Sequence, residues 1–162
     1  MTKNCVWGLL ALTLSGCAGY TDYPSAAKTA APADVAGVWM TTGPQKELAD
    51  PAAIATFIVT RSGDTLDCRQ WQRTIARRGK LTWRGDNLYN VNVKNEYSTV
   101  TVNDGVMKFS RLTLHRVQKP TVECQAFVVY HDGDYAFADE AVAKPQPAKT
   151  HKKASGVERR QK

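Results

Sequence analysis

GKLTWRGDNLYNVNVKNEYSTVTVNDGVMKFSRLTLHRV, residues 79–117, decides the fold. Its apolar residues alternate with polar ones in short runs, the period of a half-buried β-strand. Turn residues punctuate the runs: Gly85 with Asp86, then Asp104 with Gly105. Asp-Gly between two alternating runs favours a two-residue hairpin, because both positions accept a positive φ. The stretch therefore predicts strands at 80–83, 87–93, 97–102 and 106–117. The last run changes phase, with Met107 and Phe109 on one face and Leu112 and Leu114 on the other. A β-bulge near Ser110 and Arg111 is expected to reconcile them.

The same pattern continues on both sides. Toward the N-terminus it predicts strands at 37–42, 55–61 and 65–73, with a turn at Gly63 and Asp64. Asp50 followed by Pro51 reads as a helix cap with proline at the first helical position, hence one short helical turn. Toward the C-terminus a second hairpin is expected, 127–130 and 135–137, around Asp132 and Gly133. Alternation puts Phe57 with Val59, Leu66 with Cys68, Leu81 with Trp83, Tyr89 with Val91 and Val93, and Val100 with Val102 on inward faces. Successive antiparallel strands of this kind suggest an all-β fold, a meander closing into a small barrel. Gly37-Val38-Trp39 at the first strand and Arg116 near the end of the long one resemble the lipocalin-type barrel, in which such an arginine packs over such a tryptophan. The domain is smaller than a lipocalin, so side chains are expected to fill much of it.

The chain has 162 residues and a net charge of +7. It opens with Lys3, a short apolar run from Val6 to Leu14, and Leu14-Ser15-Gly16-Cys17. About nine apolar residues are too few to span a bilayer, which needs about 20, and they fit a signal peptide. The ending resembles the lipobox of bacterial lipoproteins. That resemblance implies cleavage before Cys17, diacylglycerol on its thiol and acylation of its amino group. By the same resemblance, Ala18 rather than Asp after the cysteine implies sorting to the outer membrane, and with no later apolar span the rest of the chain is expected to face the periplasm. The expected organisation is a signal peptide at 1–16, a lipidated flexible tether at 17–34, a β domain at 35–143 and a disordered tail at 144–162.

The tail carries seven Lys and Arg against Glu158, while residues 17–143 balance fourteen bases with fourteen acids. The molecule thus reads as a neutral domain with a basic tail. An anchored periplasmic protein does not meet nucleic acid, so none is expected as a partner. The tail is a candidate for peptidoglycan or anionic lipid headgroups, and C-terminal Lys162 raises covalent attachment to the cell wall. Cys5 leaves with the signal peptide and Cys17 carries lipid, so Cys68 and Cys124 remain. In an oxidising compartment a bridge between them is expected; it would close a loop of more than fifty residues and stabilise by about 4 kcal/mol.

Several stretches resemble the YedD-like lipoproteins of enteric bacteria: DPAAIATFIVTRSGDTLDCRQWQR at 50–73, TGPQ at 42–45, GKL at 79–81 and RVQKPTVEC at 116–124. The resemblance runs from the lipobox to about Cys124 and implies a small outer-membrane lipoprotein; it says nothing of chemistry. The second hairpin and the basic tail fall outside it.

No nucleophile–base pattern surrounds His115, His131 or His151, so no catalytic residue, metal site or cofactor is expected, and the chain reads as a non-enzyme. His131, Asp132 and Asp134 read as an ordinary hairpin turn. If Leu66 and Cys68 point inward, Asp67, Arg69, Trp71 and Arg73 share the outward face and form the candidate binding surface. The alternative places Trp71 in the core, tucked in by a bulge or covered by the C-terminal hairpin. Two functions follow: a structural or interaction lipoprotein that touches an envelope partner, or a barrel that carries a small ligand or lipid. An empty apolar interior would favour the carrier.

Overall fold

The computed structural model describes residues 22–138. Ten strands and one short helix are present: β1 Gly37–Met40, β2 Ile54–Val59, β3 Asp64–Gln70, β4 Thr74–Arg84, β5 Asn87–Asn92, β6 Tyr97–Asn103, β7 Val106–Phe109, β8 Leu112–Val117, α1 Val122–Gln125, β9 Val128–His131 and β10 Asp134–Phe137. Strands β1 to β8 pair antiparallel in order, and β8 returns to β1 with Trp39 opposite Arg116, closing an eight-stranded barrel. Strands β9 and β10 form a separate hairpin.

The phase change in the long run has a different cause from the expected bulge. Residues 106–117 are two strands, β7 and β8, paired from Phe109–Leu112 to Val106–His115. Ser110 and Arg111 make the turn between them with φ of 49° and 64°. Left-handed backbone costs about 1–2 kcal/mol at an ordinary L-residue, so few sequences place a turn there without Gly or Asn. The reward is that Met107, Phe109, Leu112 and Leu114 all face inward and are buried. The helical turn also moves. Asp50 does cap, its Oδ1 accepting from the Ala52 N–H at 2.7 Å, but the chain makes only a turn there; the short helix is α1.

One apolar cluster fills the barrel: Trp39, Phe57, Val59, Leu81, Val100, Met107, Phe109, Leu112 and Leu114 among others. Phe57 stacks on Phe109 with ring centroids 3.8 Å apart. Each such ring contributes roughly 1.5–3 kcal/mol when fully buried. The Arg116 guanidinium lies 4.4 Å from the Trp39 ring and donates to the carbonyls of Ala36 and Asp34 at 2.6 and 2.5 Å. It thereby stops one end of the barrel. Gly37 is required beside it, since φ is +132° and a Cβ would sit 2.6 Å from Arg116 Nη1.

A second cluster lies outside the barrel wall. Val38, Ile58, Leu66 and Cys68 are buried against Cys124, Val128, Phe127 and Phe137. The Cys68–Cys124 disulfide, with Cα atoms 6.1 Å apart, ties β3 to α1 beneath the β9–β10 hairpin. Leu66 and Cys68 are therefore core residues of the outer cluster, not of the interior where alternation put them. The wall has two buried faces here, and alternation alone cannot tell them apart.

Residues 17–34 were expected to form a flexible tether. From Asp22 onward they are instead strapped to the barrel. The N–H groups of Thr29 and Ala31 donate to the carbonyls of Leu81 and Arg61 at 2.9 and 3.0 Å, and Lys28 pairs with Asp64 at 2.8 Å. Ala26 and Val35 are buried. Gly63 permits the approach: its φ is +86°, and a Cβ would lie 1.7 Å from the Thr29 carbonyl oxygen. An Ala-rich, Pro-rich composition reads as unstructured because its hydrogen bonds go to strand β4 and to the turn at Arg61, which no local pattern reveals. Cys17 and the basic segment 144–162 lie outside the described residues. Among the described residues no helix is long and apolar enough to cross a membrane.

Candidate functional site: the mouth of the barrel

The antiparallel order places four connections at one end, which is the mouth: 41–53, 71–73, 93–96 and 110–111. The far end holds 60–63, 85–86 and 104–105 and is stopped by Arg116 and the strap. At the mouth the inward-facing residues become polar. Asp67 pairs across β2 with Phe57, and Arg69 with Ala55, so both share the inner face with the apolar core. Asn90 pairs with Leu81 and with Ser98, which continues that face around the barrel.

These side chains satisfy one another. Arg69 donates through Nε and Nη2 to both oxygens of Asp67, at 2.5 and 3.0 Å, a two-pronged pair that fixes the guanidinium plane. Arg77 donates to Glu96 at 3.2 Å, and Asn92 Nδ2 donates to the same Glu96 oxygen at 2.8 Å. The Asn92 side-chain Oδ1 accepts from the N–H groups of Lys94 and Glu96 and so sets the turn above the opening. Deeper in, the buried Thr65 hydroxyl donates to Asn90 Oδ1 at 2.5 Å. The space among them is about 260 Å³, bounded below by Phe109 and at the side by Ile75. It suits a few waters or one small polar group, and it is below the usual size of a small-molecule site.

The four residues read as one outward face divide into two pairs. Asp67 and Arg69 point into the mouth. Trp71 and Arg73 sit on the rim, in the turn between β3 and β4, and both are exposed. The expectation fails on phase: with Cys68 turned outward to its disulfide, its neighbours on either side must turn inward. Trp71 is not a core residue. It borders a groove of about 660 Å³ with Leu48, Ala53, Ile54, Arg73 and Ile75.

Arg77, Asn90, Asn92 and Glu96 were not singled out from the sequence. Their signal was Leu88, which stands in phase with Asn90 and Asn92, whereas the chosen phase of β5 followed Tyr89 and Val91. Leu88, Asn90 and Asn92 face inward. Tyr89 lies outside, edge-on to Tyr97 at 6.3 Å between centroids, and Val91 is fully buried on the outer face.

Elsewhere the hairpin turn at Asp132 and Gly133 is structural. The Asp134 carboxylate accepts from the Arg61 N–H at 2.8 Å, and Arg61 Nη2 donates to the Gly133 carbonyl at 2.9 Å. Burial pushes the Tyr135 hydroxyl above its ordinary range, and Tyr130 beside it adds to this. Among the described residues no three His, Cys, Asp or Glu side chains are grouped to hold a metal ion.

The closed eight-stranded barrel, the arginine over the tryptophan at its stopped end and the polar opening at the other define a lipocalin-like protein. Residues 20–128 match the model of the family described as "Bacterial lipocalin LPS transport optimiser YedD". Over 126 residues the chain is 48% identical to the lipoprotein YedD of Salmonella typhimurium LT2 and to that of Escherichia coli K12. That span is 78% of this chain and 89% and 91% of theirs. A crystal structure of lipoprotein YedD from Klebsiella pneumoniae MGH 78578 is similar, with a TM-score of 0.63 and 45% identity. The likeness covers 64% of this chain and 89% of that one. The chain belongs to the YedD family of lipocalin-like lipoproteins.

Proposed function

We propose that this protein is an outer-membrane lipoprotein, held through acylated Cys17 and facing the periplasm, that assists lipopolysaccharide transport by contacting a protein partner. The filled interior carries this reading. A carrier of lipid needs an apolar chamber, and here Phe57, Met107, Phe109, Leu112 and Leu114 occupy that volume, leaving about 260 Å³ of charged and amide-lined space. A protein without an apolar chamber acts through its surface. The description of the matching family supplies the process in which that surface takes part. The basic segment 144–162 adds a second contact in this reading, with peptidoglycan or anionic lipid.

Photo-crosslinking residues placed singly at Trp71, Trp83 and Tyr130 test the proposal in intact cells. At least one position is expected to capture a component of the lipopolysaccharide-transport machinery, and the product is expected to vanish when Cys17→Ser removes the anchor. Recovery of stoichiometric lipid inside the purified barrel, with no crosslinked protein at any position, would overturn it in favour of a carrier.

A further inference from the structure

The described chain begins beside the mouth. The Tyr23 N–H donates to Asn95 Oδ1 at 2.7 Å, on the turn between β5 and β6. Lys80 holds the same stretch, its ammonium 4.9 Å from the Tyr23 ring and donating to the Pro24 carbonyl at 3.4 Å. From there the strap runs to Lys28 and Asp64, then to Ala31 and Arg61 at the far end, where it feeds β1. Its direction is fixed at both ends of the barrel.

Cys17 lies five positions before Asp22. Five residues reach at most about 18 Å when fully extended. Strand β6 alone, at seven residues, runs about 23 Å from the mouth to the far end. A tether of that reach cannot run back along the wall and still meet a membrane beyond the far end. A lipid on Cys17 therefore brings the mouth, and not the stopped end, to the bilayer.

The two ends differ in the way this orientation requires. Ile54, Trp71, Ile75 and Val93 are exposed at the mouth, Trp71 and Val93 by half. The tight turns there carry Arg73, Lys94 and Arg111, and their one acid, Glu96, is held by Arg77; in the longer 41–53 connection, which also carries Lys46 and Asp50, Glu47 lies 3.7 Å from the exposed Arg111. The far-end turns carry Asp86 and Asp104, with Arg61 committed to the hairpin. Apolar side chains interleaved with cations suit the boundary between acyl chains and anionic headgroups.

We propose that the rim of the mouth rests on the phospholipid surface, with Trp71 and Val93 at the headgroup boundary and Arg73, Lys94 and Arg111 against lipid phosphates. This rests on the anchor at Cys17 and adds a fixed orientation to it. The polar mouth then opens onto headgroups. The hairpin wall and the far end, including Trp83, face the periplasm and stay free for a protein partner.

Trp71 and Trp83 make the test, because they are equally exposed at opposite ends, while Trp39 is buried between them. The full-length acylated protein is purified from membranes as two variants, Trp83→Phe and Trp71→Phe. Each is reconstituted into vesicles of phosphatidylethanolamine with a minor fraction of phosphatidylglycerol, with and without bromine on the acyl chains. A side chain seated about 5–10 Å into the boundary is within reach of the bromines, so Trp71 emission in the Trp83→Phe protein is expected to fall by about half. Emission of the Trp71→Phe protein is expected to be unchanged. The intact mass of the same preparation reports whether Cys17 carries diacylglycerol and the leader is gone. Absence of the acyl mass overturns the anchor itself. An acylated protein whose Trp71 is not quenched, or whose Trp83 is quenched as strongly, leaves the anchor standing and overturns the orientation.

Discussion

The interior of this barrel has two halves built on the same inward face of the same strands. Toward the far end, Phe57, Leu81, Met107 and Leu114 are sealed from water and packed ring to ring and chain to chain. Toward the mouth, Asp67, Arg69 and Glu96 meet solvent, and hydrogen bonds pair Arg69 with Asp67 and the buried Asn92 with Glu96. Position along a strand, not membership of a face, decides which chemistry an inward residue has. Stability should reside in the first half, and the second should be open to change at little cost to the fold.

The sharpest way to break that division is Phe57→Ala. It deletes a fully buried ring stacked on Phe109 and should cost about 3–5 kcal/mol in urea unfolding. A loss under about 1 kcal/mol would mean that the interior is loose and collapses around the gap. The boundary between the halves lies at Thr65 and Asn90. Asn90→Ala alone strands a buried hydroxyl and should cost about 1–3 kcal/mol, whereas Thr65→Val with Asn90→Leu removes both partners and should recover most of it. If the double change is as costly as the single one, the polar half extends deeper than the geometry indicates. The smallest effect is expected at the opening. Asp67→Asn with Arg69→Gln removes a pair that is partly wet, and the change in stability should stay under about 1 kcal/mol. A larger loss would make that pair part of the core.

Much of the barrel was legible because its signals are local. Asp104-Gly105 turns where a type I′ pair should, and the Gly37-Val38-Trp39 run meets Arg116 across the closing seam. The mouth was not legible, and β3 shows why. In DTLDCRQ both faces are buried, one by the barrel contents and the other by α1 and the hairpin, so the apolar residues mark the outer core and the charged ones the inner mouth. The rule that apolar residues point inward presupposes one interior. Strand β5 misleads for a related reason: Val91 is fully buried on the outer face, so its apolar side chain mimics an inward one. Ser110 and Arg111 hid a hairpin because neither is a residue that turns cheaply.

The seam between β1 and β8 also dictates a schedule. In the export route proposed above, a chain that crosses the membrane with its N-terminus leading presents Trp39 long before Arg116 arrives to cover it. Until then β1 is an open edge, with unpaired backbone groups that any other strand can capture. Cys68 emerges in the same interval, 56 residues ahead of the only described cysteine it pairs with. Assembly is therefore late and nearly all at once: ring closure, stacking of arginine on tryptophan and oxidation of the thiols all wait for the last quarter of the domain. A product interrupted before β8 has no closed ring and no sealed interior, which leaves it open to proteases.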